Sequence, residues 1–94
     1  MKKSLSITIT DLITSKEDLL SAFYGCLQFP GWFGFNWDAL WDSLHDFQWD
    51  EEIEKIDIYI KAWPSLSYDD LEIFKSLMHD LDYHMVTVHF PDAK

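Results

Sequence analysis

Apolar and polar positions follow two different periods along the chain, and each period predicts a kind of element. Leu5, Ile7 and Ile9 alternate with serine and threonine, the pattern of a strand with one buried face. Residues 53–62 and 85–90 also alternate, and they predict two further strands.

Between these strands, apolar residues recur at helical spacing in three segments. Ser15 and Ser67 each precede acidic residues and an apolar stripe, which is the pattern of a capped helix start. Asn36 is the expected cap of the middle helix, and the break at residues 29–31 predicts that the first helix ends near Gln28. The stripes consist of Leu19, Leu20, Phe23 and Leu27, of Trp37, Leu40, Trp41, Leu44 and Phe47, and of Leu71, Phe74, Leu77, Met78 and Leu81.

The predicted order is therefore strand, helix, helix, strand, helix, strand. Strands separated by helices favour an α/β fold, here a three-stranded parallel sheet with helices packed around it. The chain has 94 residues, so we expect a single domain spanning residues 1–94.

Composition narrows the possible partners. The formal net charge is −10 and the sequence contains no arginine, whereas nucleic-acid binders usually carry clustered basic residues. We therefore expect no direct nucleic-acid binding and an attraction to basic proteins. No apolar run is long enough to cross a membrane. The one cysteine, Cys26, is expected to be a buried small hydrophobe, which fits a cytoplasmic protein that needs no disulfide.

The middle helix carries the most unusual pattern. Asp38, Asp42 and Asp46 recur every fourth residue, so their carboxylates form one stripe in which like charges repel. No lysine or arginine occurs between Lys16 and Lys55 to neutralise them. We interpret this stripe as a surface for a positively charged partner. Leu40 and Leu44 are expected to face the core and Trp41 to be partly exposed beside the acids, whereas the placement of Trp37 stays open. The aromatic residues around the stripe are Trp32, Phe33, Phe35, Trp37 and Trp41.

Purely structural explanations exist for each of these residues. Asp38 can serve as a helix-start charge, Asp42 and Asp46 can belong to an ordinary solvated face, and Gly34 and Asn36 can form a turn and a cap. The histidines lack the spacing of a metal site, so no metal or cofactor is expected. Carboxylate pairs also perform acid–base chemistry, but a convex helix does not provide the pocket which that chemistry needs.

The segment from Trp32 to Leu44 closely resembles the barstar family of ribonuclease inhibitors, whose pattern is an aromatic pair followed by Gly-x-Asn-x-Asp-Ala-Leu-Trp-Asp-x-Leu. The resemblance implies the same α/β fold and an inhibitory helix that blocks the basic active site of a ribonuclease. It implies that Asp42 is the dominant anchor and Asp38 a second carboxylate in the nuclease cleft. The implied partner-binding residues are Trp32, Gly34, Asn36, Asp38, Trp41, Asp42, His45, Asp46 and Phe47.

The sequence departs from the family at a few positions. The aromatic pair, usually two tyrosines, is Trp32 and Phe33, so two hydroxyl groups are missing. The family's helix cysteine is replaced by Ser43, and a later family acid aligns with Ser76, one turn before Asp80. These differences bear on which nuclease fits.

Three functions follow from these observations. The first is a cytoplasmic immunity protein, monomeric when free, that binds a ribonuclease one to one without a cofactor and is not an enzyme. The second is a barstar-like interaction module for another basic protein. The third is a small hydrolase using Asp38 and Asp42.

Overall fold

A computed structural model describes residues 2–29, 31, 34–45, 52–81 and 85–91 of the chain. Its elements follow the predicted order. They are β1 (Lys3–Ile9), α1 (Lys16–Cys26), α2 (Trp37–His45), β2 (Ile53–Ile60), α3 (Tyr68–Asp80) and β3 (Val86–His89).

The three strands form one parallel sheet in the order β1-β2-β3. Ile7 pairs with Ile58, and Ile58 pairs with Val88 on the other side of the central strand. Parallel neighbours require crossover connections, which α1 and α2 supply between β1 and β2, and α3 supplies between β2 and β3. The predicted α/β fold, a three-stranded parallel sheet with packed helices, is confirmed.

Burial alternates along the strands, so the helices cover one face of the sheet. Ile7 and Ile9 are buried, whereas Ser6 and Thr8 between and beside them are exposed. Because successive side chains of a strand point to opposite faces, β1 has one core face and one polar face. The core combines the buried strand residues with the helical stripes and includes Ile7, Ile9, Leu19, Leu20, Phe23, Leu27, Leu40, Leu44, Ile56, Ile58, Ile60, Phe74, Met78 and Val86.

The predicted serine caps are present. The Ser15 hydroxyl accepts a hydrogen bond from the backbone N–H of Asp18 at 3.0 Å, and the Ser67 hydroxyl accepts one from Asp70 at 3.3 Å. These bonds satisfy N–H groups that the first turn of a helix leaves without partners. The first helix ends at Cys26, two residues before the predicted end.

The expectation that Cys26 is buried is wrong, because its side chain is exposed. The buried stripe of α1 passes through Leu19, Phe23 and Leu27. Cys26 is the last residue of α1, and it lies about 60° around the helix from Phe23 and about 100° from Leu27, at the edge of this stripe.

No helix in the described ranges combines the length and the apolar content needed to cross a membrane.

Candidate functional site

The backbone before α2 makes a tight approach at Gly34. A Cβ atom at this position would lie 3.0 Å from the Asn36 amide nitrogen, closer than such contacts normally come. That nitrogen donates a hydrogen bond to the Gly34 carbonyl at 3.3 Å, and Phe35 between them has a positive φ of 53°. Phe35 packs on Tyr24 of α1, with ring centroids 5.1 Å apart. The missing side chain of Gly34 therefore allows Asn36 to reach its capping position.

Asn36 caps α2, as predicted. Its side-chain oxygen accepts a hydrogen bond from the Ala39 N–H at 2.7 Å, and its carbonyl accepts one from the Leu40 N–H at 3.0 Å. The cap begins the helix at Trp37 and so determines which side chains face the core. Leu40 and Leu44 are buried as expected, and Ser43 beside Leu44 is buried as well.

Trp37 anchors the first turn of α2 to the other helices. Its indole N–H donates a hydrogen bond to the Asp70 carboxylate of α3 at 3.4 Å, and its ring lies 6.2 Å from that of Phe74. The Lys16 ammonium of α1 lies 5.8 Å from the centre of the same indole ring. The sequence left the placement of Trp37 open, and the structure shows that this side chain faces inward and is half-buried.

The opposite face of α2 presents two carboxylates to solvent. Asp38 and Asp42 are exposed and lie one turn apart. Within the described part of the chain, neither carboxylate has a hydrogen-bond or ion-pair partner. Asp38 lies in the first turn, where the positive end of the helix dipole stabilises it, whereas Asp42 lies beyond that turn.

Trp41 and His45 form a half-buried pair along the edge of this face. Their ring centroids are 3.7 Å apart, with an angle of 40° between the planes. The His45 Nδ1 atom lies 2.8 Å from the Trp41 carbonyl oxygen. Partial exposure of Trp41 beside the acids agrees with the sequence-based expectation.

Six of the nine sequence-predicted site residues belong to this helix and the turn before it. The structure brings together Gly34, Asn36, Asp38, Trp41, Asp42 and His45. The remaining three, Trp32, Asp46 and Phe47, lie outside the described residues.

Sequence reasoning missed two residues that hold the site in place. Asp70 and Lys16 contact Trp37 from α3 and α1, and the sequence separates both of them from α2. No local motif signals either contact, since a helical stripe predicts burial but not the partner that provides it. Residues 17–54 contain no lysine or arginine, yet the fold brings the Lys16 ammonium close to α2.

Another carboxylate, that of Asp57, lies on the polar face of the sheet. The Asp57 side chain of β2 is 14% exposed and lies 3.7 Å from the Lys55 ammonium. Its other contact is the His89 Nε2 atom of β3 at 3.0 Å, and the His89 ring stacks on Tyr59 at 4.4 Å. Asp57 therefore has partners within its own fold, unlike Asp42.

Two features bear on the hydrolase alternative, a possible metal site and the lining of a cleft. No group of three or more His, Cys, Asp or Glu side chains among them could hold a metal ion. A shallow cleft of about 210 Å³ at the ends of β2 and β3 is smaller than typical small-molecule sites, and neither Asp38 nor Asp42 lines it. Its lining residues are Tyr59, Ile60, Lys61, His89, Phe90 and Pro91.

A protein-family model described as Barstar (barnase inhibitor) matches residues 6–87. The chain belongs to the barstar family. The match contains α1, α2 and α3 completely, together with most of the sheet. No curated protein matches the chain significantly. Barstar-family membership explains the order of elements and identifies the chain with a family of inhibitors rather than catalysts.

Proposed function

We propose that this protein inhibits a ribonuclease by placing α2 and the turn before it in the basic active site of the enzyme. The exposed pair Asp38 and Asp42 carries the proposal, because neither carboxylate has a partner among the described residues. A ribonuclease binds RNA phosphates with cationic side chains. Two carboxylates one turn apart can form ion pairs with those side chains in place of the phosphates.

The rest of α2 keeps this surface rigid. Asn36 fixes the start of the helix, Trp37 ties the first turn to α3, and Leu40 and Leu44 lie in the core. A surface that is already ordered loses little conformational entropy on binding. Half-buried Trp41 adds an aromatic contact of the kind that is common at interface hot spots.

Charge also favours fast association. A protein with a net charge of −10 attracts a basic enzyme at long range, and such steering raises association rates. We assign the dominant contact to Asp42 and the second carboxylate contact to Asp38. Gly34, Asn36, Trp41 and His45 complete the contact surface in the described part of the chain. By resemblance to the family, the surface continues to Trp32, Asp46 and Phe47.

The proposed complex contains one inhibitor and one ribonuclease, needs no cofactor and forms in the cytoplasm. The free inhibitor is a monomer consisting of one domain, and it has no enzymatic activity of its own. An immunity role follows, since a cell that holds such an inhibitor survives a ribonuclease toxin.

The test is an inhibition titration of a basic ribonuclease, with barnase as the first probe. Wild type is compared with Asp38→Ala/Asp42→Ala and with Glu17→Ala/Glu54→Ala, which removes two exposed carboxylates from α1 and β2. The control loses the same net charge, so it separates local contact from overall charge. We expect inhibition by wild type and the control, and its loss in the α2 double variant.

A pull-down from host lysate with the same three proteins extends the test to the natural partner. Capture of a basic ribonuclease by wild type and control alone supports the proposal. Capture of a basic protein without nuclease activity favours the general interaction module, and equal capture by all three proteins shows that α2 is not the binding surface.

A further inference from the structure

His45 contacts Trp41 in two ways at the end of α2. The rings are 3.7 Å apart, and the His45 Nδ1 atom lies 2.8 Å from the Trp41 carbonyl oxygen. A carbonyl oxygen only accepts hydrogen bonds, so Nδ1 must carry a proton. The neutral ring therefore has its lone pair on Nε2, and a second proton can add only there.

A second proton changes how His45 interacts with its own helix. An imidazolium against an indole ring gains a cation–π attraction. A cation in the last turn also interacts favourably with the helix dipole, and Asp42 lies three residues earlier, within reach across one turn. The cation–π attraction acts directly between the two rings, so a charged His45 ring contacts Trp41 more strongly than a neutral one.

The same proton has the opposite effect on a cationic partner. Neutral Nε2 can accept a hydrogen bond from a lysine or arginine of the partner, whereas protonated Nε2 cannot. The new positive charge also repels that partner and offsets part of the negative charge of Asp42.

Among the described residues, the charged groups nearest to His45 in the sequence belong to α2. On the same helix, the charged groups are Asp38 and Asp42. From the described parts of α1, α3 and the sheet, no acidic or basic side chain forms an ion pair with His45. Lys16, the cation that α1 brings to this helix, contacts Trp37 in the first turn.

We propose that His45 positions the Trp41 indole and that protonation of His45 weakens the binding of a cationic partner to α2. The second half rests on the proposed function, whereas the first concerns the free protein. Histidine is the side-chain type that ordinarily changes charge between about pH 5 and pH 8, and this range sets the two pH values of the test.

Binding is tested with barnase at about pH 5.5 and about pH 7.5. Wild type is compared with His45→Phe, which keeps a ring beside Trp41 but cannot be protonated, and with His45→Ala, which removes the ring. Ionisation of the enzyme cancels because every inhibitor meets the same enzyme. We expect the wild-type affinity to fall about tenfold more than that of His45→Phe on acidification. Equal pH dependence in the two proteins would overturn the binding half of the proposal.

The positioning half is tested in the free protein by NMR. The Trp41 indole N–H resonance, assigned with a Trp41→Phe variant, should follow the titration of His45 in wild type. It should stay constant in His45→Phe and move to a different position at every pH in His45→Ala. An indole resonance unaffected by pH and by both substitutions would overturn this half. Circular dichroism checks that each variant is folded.

These two measurements separate the possible failures. If wild type does not inhibit barnase at either pH, the proposed function and the binding half both fail for that enzyme, while the NMR titration still decides the positioning half. If wild type inhibits with no pH difference from His45→Phe, the proposed function stands and His45 does not regulate it.

Discussion

Asp57 and Asp42 are both carboxylates on the outside of the same core, yet their surroundings differ. Asp57 lies between the Lys55 ammonium and the His89 ring, and its side chain is mostly shielded. Asp42 is exposed on α2 and has no partner among the described residues.

On the proposed function, the difference separates charges that serve the fold from charges that serve binding. A carboxylate with partners within its own chain adds a modest amount to folding stability. A carboxylate beside a second one at helical spacing slightly destabilises its helix, and this makes the pair on α2 unfavourable unless a partner neutralises it. Stability and affinity should therefore respond in opposite ways to substitutions at the two positions.

The largest expected effect is the loss of affinity in Asp42→Ala. We expect partner binding to weaken by several kcal/mol, the magnitude known for truncated charge pairs in barstar-family complexes rather than one derived from this structure. The free energy of unfolding should stay the same or rise by a few tenths of a kcal/mol, because repulsion with Asp38 is relieved. Isothermal titration calorimetry and urea denaturation measure the two quantities. If Asp42→Ala unfolds the protein while the folded molecules bind normally, the carboxylate is structural after all.

Salt dependence should give the next largest effect. Raising ionic strength from about 0.01 M to about 1 M shortens the Debye length from about 30 Å to about 3 Å, so the association rate should fall at least tenfold. Stopped-flow mixing with the ribonuclease measures this rate. The association rate of Asp38→Ala/Asp42→Ala should depend less steeply on ionic strength than that of wild type. A rate that does not change with salt would contradict steering by the acidic surface.

The cap of α2 should affect stability and affinity together. Asn36→Ala removes the acceptor of the Ala39 N–H, so we expect a loss of about 1 kcal/mol in unfolding free energy and weaker binding. Ser67→Ala, which removes the equivalent cap from α3, is the matched control and should lower stability by a similar amount with a smaller effect on binding. Thermal unfolding and inhibition titrations compare the two variants. Unchanged inhibition by Asn36→Ala would show that the start of α2 need not be fixed for binding.

The smallest effect is expected at Asp57. Asp57→Asn should lower the unfolding free energy by about 0.5 kcal/mol and leave ribonuclease inhibition unchanged. A double-mutant cycle with His89→Gln isolates the pair, whose atoms are 3.0 Å apart. A clear loss of inhibition in Asp57→Asn would mean that the sheet face also takes part in binding, and the contrast with Asp42 would not hold.

Much of the candidate site is predictable because its signals are local. The spacing of Leu40 and Leu44 fixes the buried side of α2, and Asn36 fixes its start, so the exposure of Asp38 and Asp42 follows from the sequence. The order of the elements along the chain follows as well, since the period of apolar residues changes between two and 3.6 residues from segment to segment.

The features that the sequence did not predict are contacts between distant residues and the exposure of a residue at the edge of a buried stripe. The bond between Trp37 and Asp70 joins residues 33 positions apart, and no periodicity specifies it. Cys26 is apolar in character, but its position beside the buried stripe decides its exposure. Likewise, alternation in β1 predicts that this strand has one buried face. It does not predict that the helices cover only one face of the whole sheet and leave the other face polar.

The bond between Trp37 and Asp70 also has a consequence for how the protein is made. Synthesis proceeds from the N-terminus, so α2 leaves the ribosome well before the residue that anchors its first turn. The pairing of β1 with β2 likewise waits for residues about 50 positions downstream. A nascent chain that stops before α3 would carry the Asp38 and Asp42 carboxylates on an unanchored helix. On the proposed function, the molecule should therefore become able to bind its partner only when nearly all of residues 6–87 have been translated.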